Sequence, residues 1–128
     1  MNLLLDTHVL LWWLDDSPYL SETERNAIAD PGNLIVVSAA GIWEMRIKQA
    51  LGKLEIPAEF YSVIKDQRFE LLSITTDHAY AAGGLPMHHR DPFDRMIIAQ
   101  ARLEKLCIVT HDNIFSRYEV SVFSANVD

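Results

Sequence analysis

Four carboxylates, far apart in the chain, share one kind of position. Asp6 ends the apolar run Leu3-Leu4-Leu5, and Asp112 follows Leu106-Cys107-Ile108-Val109-Thr110 with only His111 between them. Glu44 lies one to two turns into a helical stretch that leaves the apolar run Leu34-Ile35-Val36-Val37 through Ser38. Asp94 stands in the first turn of a helix that feeds the run beginning at Leu106. With these runs as parallel strands, the strand ends and helix beginnings meet at one sheet edge, where open α/β sheets hold their ligands. Two unit charges 4 Å apart repel by about 4 kcal/mol at an effective dielectric of 20. Four gathered acids therefore call for something positive among them, and a hard cation that takes oxygen ligands, Mg²⁺ or Mn²⁺, is the natural occupant. Each acid also has a purely structural use. Asp6 and Asp112 fit as helix caps, Asp94 as the partner of Asp91 in a capping box, and Glu44 as the partner of Lys48 one turn on.

Other polar side chains carry weaker signals. Thr7 and Thr110 each adjoin or approach a site acid and can orient a ligand or water. Arg46 and Lys48 near Glu44, with Arg90 and Arg95 around Asp94, suit contacts to a phosphate backbone, or else form a solvated charged face. His88 and His89 read as solvated loop. No H-E-x-x-H and no Cys/His pairing occurs among the five histidines, so a zinc hydrolase is poorly supported. Trp12 and Trp13 sit on a helix that is apolar nearly all round, more than one sheet face can bury, which points to a partner surface.

The elements that would carry these residues alternate. After the first strand and helix, Asp15-Asp16-Ser17-Pro18 breaks the pattern, and Ser21-Glu22-Thr23-Glu24 has capping-box spacing for a helix to about Ala29. A strand at Leu34 to Val37 leads into a helix ending near Gly52, and another helix runs from Pro57 to about Gln67. A third strand follows from Phe69 to Ile74, then a short helix capped by Thr76 and closed by Gly83-Gly84. Asp91-Pro92-Phe93-Asp94 starts a long helix with Asp as cap and Pro at its first position. The last elements are a strand at Leu106 to Thr110, a short helix at Asn113 to Arg117 and a strand near Val120 to Phe123. Such alternation indicates an α/β fold with a parallel sheet and helices on both faces.

At 128 residues and 49% hydrophobic, the chain fits a single domain, residues 1–128. The one cysteine, Cys107, falls within an apolar strand and suits a reducing cytoplasm. No apolar run approaches the roughly 20 residues of a membrane span, and the N-terminus lacks a basic leader. The net charge of -7 argues against a broad nucleic-acid surface, although cations held by clustered acids would offset it locally.

These residues, in this order, resemble the PIN-domain family, and in particular the VapC-type toxins of type II toxin-antitoxin systems. The likeness rests on Leu5-Asp6-Thr7-His8 with Trp12, on Ser38-Ala39-Ala40 with Ile42-Trp43-Glu44, and on Lys48 with Leu51-Gly52-Lys53-Leu54. It continues through Arg90-Asp91-Pro92-Phe93-Asp94-Arg95-Met96-Ile97-Ile98-Ala99-Gln100-Ala101 and Thr110-His111-Asp112-Asn113. The resemblance implies a three-layer α/β/α sandwich with a parallel sheet in the order 3-2-1-4-5. It also implies a Mg²⁺- or Mn²⁺-dependent endoribonuclease, usually a homodimer, restrained by a cognate VapB-type antitoxin. Asp6, Glu44, Asp94 and Asp112 then form the acidic site, and Asp91 is a cap. The pattern departs at Gly41 and Arg46, where a small polar and a small apolar residue are expected. The chemistry expected is hydrolysis of RNA to 5′-phosphate and 3′-hydroxyl ends. Two rivals remain: a binding module with remnant acids, and a phosphatase or phosphotransferase using Asp6 as nucleophile. The second usually has another Asp two residues on, where this chain has His8.

Overall fold

The computed structural model describes residues 1–123. Its core is a parallel sheet of β1 (Asn2–Leu5), β2 (Leu34–Ser38), β3 (Glu70–Leu72) and β4 (Cys107–Val109), in the order β3-β2-β1-β4. Alternation along the strands sends neighbouring residues to opposite faces. Leu3, Leu5, Ile35 and Val37 pack on one face with Val9, Leu10, Met45, Phe60 and Ile64. Leu4, Val36 and Ile108 pack on the other with Ile97, Ile98, Ala101 and Phe115. Two covered faces explain why the strands read as unbroken apolar runs.

The first face carries α1 (Thr7–Leu14), α2 (Glu22–Ala29), α3 (Ala39–Ala50) and α4 (Phe60–Asp66). The second carries α5 (Thr76–Gly83) and α6 (Pro92–Glu104), giving the three-layer α/β/α arrangement. The predicted caps form at Ser21, whose box with Glu24 is complete, and at Asp91, whose carboxylate accepts from Phe93 and Asp94 N–H. Helix α5 starts one residue earlier than expected. Thr75, not Thr76, caps it, because His78 lies three residues on from Thr75 and returns the hydrogen bond to the Thr75 N–H.

The expected fifth strand is reduced to a single parallel bridge between Ile108 and Val122. Ile108 N–H donates to Ser121 and Phe123 N–H donates back to Ile108. The chain thus occupies the outer place beside β4 with the order intact, but no strand develops over residues 120–123. Among the described residues, no helix is long and apolar enough to cross a membrane.

Candidate active site

Strand β1 delivers Asp6 to the carboxyl edge of the sheet, where it is both the cap of α1 and a buried acid. Its Oδ1 accepts the Val9 N–H at 2.8 Å, its Oδ2 accepts the Thr110 hydroxyl, and only 3% of the residue is exposed. Burial raises the Asp6 pKa, opposed by the Thr110 and Val9 hydrogen bonds and by the nearby rings of His8 and His111. Thr110 also receives the Asp112 N–H at 3.0 Å, so one hydroxyl ties the first acid to the last. Asp112 caps the 3₁₀ turn Asn113–Arg117 through Oδ1, which accepts from Ile114 N–H at 2.9 Å.

Helix α6 delivers Asp94. Its carboxyl is pushed up to about 7, first by burial, then by the charge of Asp91, with Glu44 and Asp6 adding to the rise and His89 opposing it. Asp94 is therefore within electrostatic reach of both acids from the first half of the chain. The expected capping box between Asp94 and the Asp91 backbone does not form. The Asp91 N–H instead donates to His89 Nδ1 at 3.2 Å.

That contact defines the role of His89, expected to be solvated loop and found instead inside the acid cluster. Its Nδ1 is an acceptor, which assigns the ring proton to Nε2. There it faces Asp94 Oδ2 and Asp112 Oδ2, each at 3.0 Å. Among the described residues, His89, Asp94 and Asp112 bring ligand-capable atoms within 4.8 Å of one another. The ring is set by the Tyr118 hydroxyl, which accepts the His89 N–H at 2.7 Å, and by edge-on packing against Phe115. The sequence signal available was local: a histidine two residues before a helix cap can offer a ring nitrogen to the cap's N–H.

Glu44, on α3, is 4% exposed. Its Oε2 pairs with Lys48 Nζ at 3.0 Å, as the helix spacing allows, while its Oε1 is buried with no hydrogen-bond partner among the described residues. Thr7 Oγ1 is likewise buried and unpartnered among them. Gly41 accounts for Thr7: a Cβ at position 41 would lie 3.3 Å from that hydroxyl, so the small polar side chain expected there is missing from beside it.

The cationic residues divide. Arg46 and Arg90 are exposed, and Lys48 is held by Glu44. Arg95 corrects the expectation of a phosphate contact. It is buried, and its guanidinium donates to the carbonyls of Ala82, Leu85, Pro86 and His89 at 3.0 to 3.3 Å. It closes the end of α5, whose last carbonyls lack helical partners, and pins the loop that carries His89. Trp13 is half-buried and donates to Gln67 Oε1 at 3.2 Å, while Trp12 packs among His8, Tyr19 and His111.

The donors suit a hard divalent cation. Carboxylates dominate, burial and then the neighbouring acids hold one carboxyl far above its ordinary range, and a buried glutamate oxygen has no partner among the described residues. Fold and site together define a three-layer α/β/α domain with an acidic pocket at the carboxyl edge of its sheet. The PIN domain profile matches residues 3–120, and the chain belongs to that family. No curated protein matches it. Among solved structures it is similar to VapBC2 from Rickettsia felis bound to a DNA fragment from their promoter, with a TM-score of 0.70 and 20% identity over 95% of this chain and 96% of that one. DNA-bound VapBC from Salmonella typhimurium gives 0.65 and 20% over 95% and 96%. VapBC-1 from nontypeable Haemophilus influenzae gives 0.63 and 20% over 91% of each. At such identities the likeness is one of fold.

Proposed function

We propose that this protein is the toxin of a type II toxin-antitoxin system, a cytoplasmic Mg²⁺- or Mn²⁺-dependent endoribonuclease. The observation that carries the reading is the gathering of Asp94 and Asp112 at the α6 start, each 3.0 Å from His89 Nε2, with the Asp94 carboxyl raised to about 7 by burial and then by the charges of Asp91, Glu44 and Asp6. A cation held by Asp6 and Asp94, with Glu44 and Asp112 bound directly or through water, would relieve that repulsion. When bound, such a cation supplies Lewis acidity at the phosphate and makes a water acidic enough to attack near neutral pH. Thr110 keeps Asp6 and Asp112 in register, Thr7 Oγ1 offers an uncommitted hydrogen bond, and the free Glu44 oxygen is available to accept a proton from the attacking water. Hydrolysis would leave 5′-phosphate and 3′-hydroxyl ends. Asp6 as a nucleophile is disfavoured because His8 stands two residues on, where such phosphatases usually have a second Asp.

The partner side of the proposal rests on the fold likeness to VapBC complexes and on an apolar groove of about 410 Å³ lined by Leu11, Trp12, Leu14, Met45, Phe60 and Val63. Its shape and lining suit an amphipathic segment of a VapB-type antitoxin. Self-association as a homodimer belongs to the same reading, and light scattering showing a monomer at high concentration would remove it. The nuclease reading is tested by incubating total RNA with the protein in EDTA, Mg²⁺ or Mn²⁺ and mapping the 5′ ends. Metal-dependent cleavage is expected, and intact RNA under all three conditions would leave a binding module.

A further inference from the structure

Beside the acid pocket, four aromatic rings make a continuous cluster that the proposed hydrolysis does not use. Trp12 is its centre, 4.7 Å from His111, 5.8 Å from Tyr19 and 6.1 Å from His8 between ring centroids. His8 is two residues on from Asp6, and His111 separates Thr110 from Asp112. Both rings are near enough to Asp6 to stabilise its charge, so cluster and pocket share a rim. The cluster is held, not loose: His111 Nε2 lies 2.9 and 2.8 Å from the two oxygens of the buried Glu24, which also closes the cap of α2. Its outer rings are open, with His8 and His111 exposed and Tyr19 73% exposed.

We propose that His8, Trp12, Tyr19 and His111 form a stacking subsite for an unpaired nucleobase of the RNA strand whose phosphate lies at the acid pocket. The inference rests on the nuclease reading and names how such a strand is held. Charge does not suffice here. The chain carries a net charge of -7, Arg95 is buried, Lys48 is tied to Glu44, and Arg46 and Arg90 are the exposed cations of the expected set. Stacking supplies affinity without phosphate contacts and accepts any base because each has a π-face. A base next to a scissile phosphate has to lie within a nucleotide's reach of the metal-binding acids, and this cluster does.

The test is fluorescence anisotropy of a labelled, unstructured eight-nucleotide RNA of mixed sequence in Ca²⁺, against the same backbone with abasic residues, using the full chain. Intact RNA is expected to bind about tenfold more tightly. Tyr19→Ala should remove most of that difference, Tyr19→Phe should keep it, and the salt dependence should be the same in all three, since stacking releases no counterions. Equal affinity for intact and abasic RNA, or no effect of Tyr19→Ala, overturns the subsite while metal-dependent cleavage still upholds the nuclease reading. If Tyr19→Ala spares RNA binding but weakens binding of a purified VapB-type antitoxin, the rings are a protein contact and the subsite is likewise overturned. If the wild type neither binds nor cleaves RNA in any metal, both readings fall together.

Discussion

Helix α6 enters two polar clusters, each centred on a histidine, and they are built on opposite principles. Toward its middle, Gln100 accepts the Ser38 hydroxyl at 2.6 Å and donates to the Ser73 carbonyl and to His78 Nδ1, both at 3.3 Å, while His78 Nε2 meets Glu104 at 2.9 Å. Each side chain in that network has a partner of complementary character. At its start, Asp94 and Asp112 share the one Nε2 proton of His89, a third acid has a buried oxygen with no partner, and a buried threonine hydroxyl is idle. Low polarity strengthens a satisfied network and penalises an unsatisfied one. The first cluster therefore stabilises the fold, joining β2 and α3 to α5 and α6. The second holds like charges together at a cost to stability.

Breaking the satisfied cluster should have the largest effect on stability. Gln100→Leu removes the acceptor of the Ser38 hydroxyl proton and the donor to the Ser73 carbonyl, and it should lower unfolding free energy by about 2 to 3 kcal/mol in urea titrations. Cleavage per folded molecule should be retained. The acid cluster should respond to pH instead. A carboxyl raised from 3.8 to about 7 takes up its proton more readily in the folded state, so its contribution to stability is greatest below its unfolded pKa and is lost as pH rises through 7. Between pH 5 and pH 8 the metal-free protein should lose roughly 5 °C in Tm relative to Asp94→Asn, whose profile lacks this term. A parallel pair of profiles would dissociate Asp94 from the effect.

His89→Phe acts on the acid cluster alone. It keeps a ring against Phe115 but removes the proton shared by Asp94 and Asp112, and should destabilise the metal-free protein by about 1 kcal/mol. Added Mn²⁺ should recover that loss, which calorimetric Tm values in EDTA and in Mn²⁺ would show. The smallest effect is expected at Gly41. Gly41→Ser removes a flexible residue from helix α3 and offers Thr7 Oγ1 a partner at the cost of a close approach, a net gain of about 0.5 kcal/mol in denaturant melts.

The difference between the clusters also explains what the amino-acid sequence discloses. The placement of three of the acids is legible because each is anchored to a strongly patterned element: Asp6 and Asp112 to the ends of buried strands, Asp94 to a Pro-marked helix start. The two-faced core follows from the same patterns, whereas the strand order is implied by the resemblance to the PIN-domain family and not by patterning. His89 is not legible in that way, since its place depends on Tyr118 and Phe115, more than twenty residues away, and on a loop pinned by Arg95. Arg95 misleads because a charged residue on an amphipathic helix reads as solvated, and only the converging carbonyls of α5 show otherwise. The last strand is overstated by its apolar residues, because pattern does not report how few of its hydrogen bonds find a neighbour.

We propose that the acids at the α6 start are gathered for a cation, a claim that thermal melting of wild type and Asp94→Asn with EDTA and with Mn²⁺ tests. In EDTA the variant should be as stable as wild type or more so, because a repelled charge has been removed. In Mn²⁺ at a hundredfold excess over its dissociation constant, wild type should gain about 2.7 kcal/mol, worth roughly 10 °C, and the variant should lose most of that rise together with RNA cleavage. A variant that is less stable by about 1 kcal/mol in both conditions, still responds to Mn²⁺ and still cuts RNA would make Asp94 a structural residue of the helix start and contradict the claim.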